Sequence, residues 1–142
     1  MRTAAQWSVT SLMICLVISY GCQTAEHAEQ PQWVQVPIAD LSNVEGKWDG
    51  LMRRVPPERR ADWLTVTIAS NGRYQFSSLR TIGVFSGHGE FSVNEGKLQS
   101  RSERGTVEAV LYEAGSQRML KAKGRAADGT EYTAEVKPAK VR

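Results

Sequence analysis

From Leu64 to Val136 the apolar residues of this chain recur at every second position, and that period of two is what most limits the folds open to it. The stretch "WLTVTIAS" sets Leu64, Val66 and Ile68 against Thr65 and Thr67, and "RYQFSS" sets Tyr74 and Phe76 against Arg73 and Gln75. The pattern returns in "EFSVN", "MLKAKG" and "TEYTAEVK", where Phe91, Val93, Leu120, Ala122, Tyr132, Ala134 and Val136 share the apolar side. A period of two marks strands with one buried face, and no stretch here carries the 3.6-residue period of an amphipathic helix. Only "TVEAVLYE" is apolar on both faces, as expected of a strand covered on both sides or bearing a wet aromatic patch.

Glycine punctuates these runs. Asn71-Gly72, Glu95-Gly96, Arg104-Gly105, Ala114-Gly115 and Asp128-Gly129 each offer a residue that tolerates the positive φ of a tight hairpin. Strands joined by tight turns are antiparallel neighbours. The reading is therefore all-β: an antiparallel up-and-down meander of about eight strands, at 45–53, 62–69, 72–79, 81–86, 88–94, 97–103, 106–113 and a pair within 117–137. In "LRTIGVFSGHG" the glycines Gly83, Gly87 and Gly89 read equally as turn, bulge or bend, so the count runs from seven to nine. With no helix to cover its apolar face, such a sheet closes into a barrel or flattens into a sandwich.

The residues ahead of the meander are of another kind. Arg2 precedes the mostly apolar "WSVTSLMICLVISY", then Gly21 and Cys22, the build of a bacterial secretory signal. Its continuous apolar core, Leu12 to Ile18, falls short of the roughly 20 residues that span a bilayer. The "ISYGC" end resembles the lipobox of bacterial lipoproteins, with Ser19 and Tyr20 standing where a Leu and a small residue are usual. That resemblance implies cleavage after Gly21 and lipidation of Cys22, hence a membrane partner through the lipid anchor. Gln23, in place of an Asp, implies the outer membrane, with the domain facing the periplasm of the cell envelope. The expected division is a signal at 1–21, a lipidated flexible tether at 22–40 and one small β-barrel domain at 41–142. Cys15 and Cys22 are the two cysteines of the chain, so the domain has no disulfide and relies on its core.

The domain opens with "VEGKWDG". Gly46-Lys47-Trp48 at the head of a meander resembles the G-x-W start of the lipocalin or calycin superfamily. The resemblance implies a barrel in which Gly46 and Trp48 plug one end and the first connection lies over the mouth. The second motif of that family, a Thr-Asp pair followed by Tyr, has no counterpart here, and no arginine is assigned to pack over the Trp. The domain is also shorter than a full lipocalin. A closed cavity of ~300 Å³ would forfeit ~7 kcal/mol at ~24 cal/mol per Å³, comparable to the whole stability of a small domain. The expected interior is accordingly filled.

The chain is formally +3; without Arg2, 17 basic residues face 15 acidic ones. So small an excess is no nucleic-acid footprint. In "RRVPPERRADW", Arg53, Arg54, Arg59 and Arg60 with Trp63 are candidates for contact with anionic ligands or a partner, set against a solvated loop partly neutralised by Glu58 and Asp62. His88 and Glu90 in "SGHGE" make only half of a metal site, and His27 stands alone in the tether. Ser77, Ser78, Ser100 and Ser102 lack a nucleophile elbow. No catalytic residue, metal or cofactor is expected. Three readings follow: a non-enzymatic envelope lipoprotein acting as an interaction or structural module with a protein or lipid partner, a lipocalin-like binder of a small apolar or amphipathic ligand, or an inhibitor of an envelope hydrolase. The oligomeric state leaves no mark in the sequence.

Overall fold

In the computed structural model, which describes residues 31–56, 60–80 and 83–140, the alternating runs become strands of one antiparallel sheet. They are β1 (Val34–Val36), β2 (Gly46–Val55), β3 (Asp62–Ile68), β4 (Arg73–Arg80), β5 (Gly83–Glu90), β6 (Ser92–Asn94), β7 (Lys97–Ser102), β8 (Gly105–Ala114), β9 (Gln117–Ala126) and β10 (Glu131–Pro138). A 3-10 turn, Leu41–Val44, lies between β1 and β2. The spatial order is β5-β4-β3-β2-β10-β9-β8-β7-β6. The last strand thus returns to the first long one, pairing with β2 from Glu131 opposite Val55 to Pro138 opposite Trp48. The two ends of this order, β5 and β6, are consecutive in sequence and separated by Phe91 alone. The sheet is a nearly closed barrel with a single seam between β5 and the β6–β7 hairpin, an arrangement compatible with a lipocalin-like fold.

The uncertain glycine stretch resolves into one strand. Where a break at Gly87 separates 81–86 from 88–94 in the sequence reading, the structure runs straight through from Gly83 to Glu90 and turns at Phe91. The reason lies across the ladder on β4. A Cβ added at Gly87 would sit 2.6 Å from the Phe76 ring, and one at Gly89 would sit 2.6 Å from the Tyr74 hydroxyl. These glycines make room for aromatic rings from the neighbouring strand, and they do not turn the chain.

The polar segment before the meander is also partly structured. The tether expected at 22–40 gives way at Val34, where β1 pairs with Leu111–Glu113 of β8, just beyond the point where β7 stops pairing with that strand. The Ile38 amide then donates to Gly96 O at 2.9 Å, and the Ile38 side chain is buried. Asp40 caps the 3-10 turn: its Oδ1 accepts from Ser42 N at 2.8 Å, while Asn43 Oδ1 accepts from the Ala39 and Asp40 amides. That reciprocal capping satisfies donors a short helix would leave bare. It also sets Val44, fully buried, beneath the barrel.

Register divides the molecule into two ends. Gly46, Ile68, Tyr74, Gly89, Lys97, Glu113, Gln117 and Pro138 lie at the closed end with the 3-10 turn; Val55, Asp62, Leu79, Ser102, Gly105, Ala126 and Glu131 ring the other, the mouth. The tightest part of the core, Ile38, Val44, Trp48, Leu98 and Leu111, collects at the closed end. Trp48→Ala should cost about 3–5 kcal/mol of stability in urea unfolding. Gly50 and Gly124 both face inward, yet a Cβ at Gly50 would lie 1.9 Å from Glu135 O, whereas at Gly124 it would meet nothing nearer than 3.6 Å. Gly50→Ala should therefore lower the unfolding midpoint sharply. Gly124→Ala should preserve it or add about 0.4–1 kcal/mol by restricting the unfolded chain.

Candidate functional site

Even-numbered positions of β2 and β3 and their register partners point into the barrel, and side-chain size along that inner surface is graded. At the closed end it carries Trp48, Ile68, Leu98, Leu111, Leu120 and Val136. Toward the mouth it carries Gly87, Gly105, Ala122, Gly124 and Ala134. Space follows from this grading. A cavity of about 640 Å³ occupies the mouth-ward half, walled by Met52, Val66, Phe76, Phe85, Val107 and Tyr132 among others. The filled interior expected from the sequence is thus corrected. The void is open to solvent, so it escapes the penalty of a sealed empty cavity, and the compact packing that holds the domain together is confined below it.

The floor of the cavity is an aromatic group at the seam. Tyr74 and Phe91 stack with ring centroids 4.2 Å apart, and the Tyr74 hydroxyl lies 3.3 Å from Ser100 Oγ on β7. This contact reaches from β4 across the gap that no ladder closes. Above it, Phe76 and Phe85 meet at 5.4 Å in a tilted pair. The Ser78 hydroxyl, fully buried, has no hydrogen-bond partner among the described residues.

Below the floor, Trp48 is 2% exposed and donates its indole N–H to Val44 O at 2.8 Å. The guanidinium of Arg118, at the start of β9, lies 5.7 Å from the Trp48 ring centroid and donates to Asn43 O. Glu113, directly opposite in the ladder, sits 3.3 Å from Arg118 Nε, off the line of its N–H, and neutralises the charge. The sequence reading assigned no arginine to this place. Its only signal was the register: Arg118 stands two residues before Leu120 and so shares its inward face.

The first connection follows Val55 at the mouth end of β2, and the described residues singled out there lie on different faces. Arg53 and Trp63 are exposed on the outer wall, since Arg53 alternates with inward Met52 and Trp63 with inward Leu64. Arg54 belongs to the inward series at the rim, close enough to Asp128 to favour its charged form. Arg60 is exposed, and Arg59 lies outside the described residues, as do Cys22, His27 and the whole of 1–30. His88 and Glu90 are both exposed on β5, and no cluster of three or more His, Cys, Asp or Glu suited to a metal occurs among the described residues. Of Ser77, Ser78, Ser100 and Ser102, the last two border the cavity, as does Ser86.

The mouth itself is built by two hairpins. The Ala127 amide of the β9–β10 hairpin donates to Arg104 O of the β7–β8 hairpin at 3.0 Å, tying them together. Asp128 Oδ1 accepts from the Thr130 amide at 2.9 Å. That hydrogen bond, helped by the Thr130 hydroxyl and by Arg54, holds the Asp128 carboxyl below its ordinary value of 3.8.

No protein-family model matches this sequence, and no curated protein resembles it closely enough to indicate kinship. Because the Asp128 pKa is lowered in the fold, its contribution is complete above the ordinary value and is lost as pH falls through the lowered one. In a carboxylate-detected NMR titration, Asp128 should show a midpoint below 3.8, and Thr130→Val should move it upward.

Proposed function

We propose that the barrel binds a small apolar or amphipathic molecule through its open mouth. The observation that supports this most is the cavity of about 640 Å³, a volume in the range of small-molecule sites, with an apolar and aromatic lining. Its walls are hollow by composition: Ala122, Gly124 and Ala134 stand where larger residues would fill the space. Polar residues at its border, among them Ser100, Ser102, Arg104, Arg125 and the rim carboxylate of Asp128, would orient a polar end of the ligand. Gly46-Lys47-Trp48, with Arg118 over the Trp ring, strengthens the resemblance to lipocalins on which this reading also draws.

Native mass spectrometry of the protein tests the reading, with a fluorescent fatty-acyl probe as the titrated ligand. Probe uptake with saturation at one site is the expected result. Ala122→Phe and Ala134→Phe should each abolish uptake while retaining the thermal midpoint, because they fill space without crossing a backbone. Uptake unchanged in both variants would refute an internal site.

The sequence-level reading of Cys22 as a lipid anchor in the cell envelope complements this proposal, because it would keep a binder of apolar molecules close to its supply. Cys22→Ala should move the protein from the membrane to the soluble fraction of the cell. Membrane association of Cys22→Ala that survives a high-salt wash and the loss of the apolar wall residues would reject the anchor and leave the cavity untouched.

A further inference from the structure

The outer wall of the barrel carries a feature that ligand binding does not use. Leu51 of β2, Trp63 of β3 and Leu79 of β4 are direct cross-strand partners, Leu51 opposite Trp63 and Trp63 opposite Leu79. All three face outward, and they are 41%, 48% and 60% exposed. Val55, four residues beyond Leu51 on the same face of β2, is exposed too. Of the large hydrophobic residues exposed among the described ones, only Val34 lies away from the mouth-ward half. A row across three strands differs from scattered surface apolar residues and marks an interaction surface.

Charge surrounds this row unevenly. Among the described residues, the strand ends and hairpins around the mouth (53–56, 60–62, 79–80, 101–106 and 123–131) carry eight basic residues against four acidic. The rest of the described chain carries seven against eight. On the β2–β4 side, next to the apolar row, segments 53–56 and 60–62 carry Arg53, Arg54 and Arg60, with Asp62 as their one acidic residue. Arg53 sits on the outer wall between Leu51 and Val55. The barrel therefore has an electric polarity, and its apolar row lies toward the positive end.

We propose that this wall, Leu51, Trp63 and Leu79 with Arg53 at its margin, docks the domain on an anionic lipid surface. Indole and aliphatic side chains beside arginines are what the boundary between head groups and acyl chains accommodates, with the ring at the boundary and the guanidinium among the phosphates. The wall of a barrel is convex. A bilayer surface conforms to a convex patch, whereas a protein partner would need a matching hollow. Docking by this side brings the mouth close to the lipid without any residue of the cavity taking part, so it stands independently of the ligand proposal.

The test is sedimentation of the full chain with vesicles of phosphatidylcholine, alone or mixed with phosphatidylglycerol, at low and high salt. Leu51→Ser, Trp63→Ser and Leu79→Ser combined, and Arg53→Glu alone, are compared with the parent. All four positions are exposed, so a thermal melt should show the variants folded; residues 1–30 are common to every protein and contribute equally. The expected result is parent binding that is stronger on the anionic vesicles and weakened by salt, with about a tenfold loss in the triple variant. Arg53→Glu should lose binding to anionic vesicles selectively. Brominated acyl chains should quench the fluorescence of the parent more than that of Trp63→Phe. Equal binding of parent and triple variant overturns the proposal. So does a parent-specific complex with an acidic protein that the vesicles do not displace, which would give the wall to a protein partner.

Discussion

The structure rests on the seal at the foot of the barrel. A one-sided sheet that curls to hide its apolar face has two open ends, and at least one must be closed for a core to exist. Here Trp48 closes it, held by the indole hydrogen bond to Val44 O and lidded by Arg118, which also donates to Asn43 O. The capped 3-10 turn brings Val44 and Asn43 to their places, and Glu113 balances the arginine. Three separate parts of the chain, the turn, β8 and β9, thus converge around one indole. The strands above can then afford a lining too small to pack.

That division of labour accounts for a domain of modest size that keeps a cavity without a disulfide in its described part. Apolar volume is concentrated where Ile38, Val44, Trp48, Leu98 and Leu111 meet, and it thins toward Gly124, Ala122 and Ala134. The seam is handled in the same economical way. Backbone pairing stops at β5 and at β6, and the aromatic stack of Tyr74 on Phe91, with its hydroxyl against Ser100, bridges what the ladder leaves open. Gly87 and Gly89 are the complement of that arrangement, since rings from β4 lie where their side chains would be.

Much of the site was written in the chain but not where it first drew attention. The arginine-rich first connection lies at the mouth, yet its described members scatter: Arg53 and Trp63 outside, Arg54 at the rim, Arg60 exposed. The cavity is marked instead by small residues at inward positions of β9 and β10, a signal that only becomes legible once register says which neighbours they face. Arg118 illustrates the same point. It reads as an ordinary charged residue beside a hairpin until pairing with Glu113 brings its strand over Trp48.

What the sequence determines by itself is local: the period of two, the glycine turns and the antiparallel meander follow from steric preferences of neighbouring residues. The start of the first long strand, expected at Glu45 and found at Gly46, followed to within one residue. Tertiary structure decided the rest. That β10 returns to β2, that the seam falls beside β5, and that Val34–Val36 joins the sheet all depend on contacts between distant segments, for which local propensity carries no information. The hollow is the clearest case. Whether an alanine is a gap or a fitted contact depends on what stands across the barrel from it, and that is settled only when the sheet has closed.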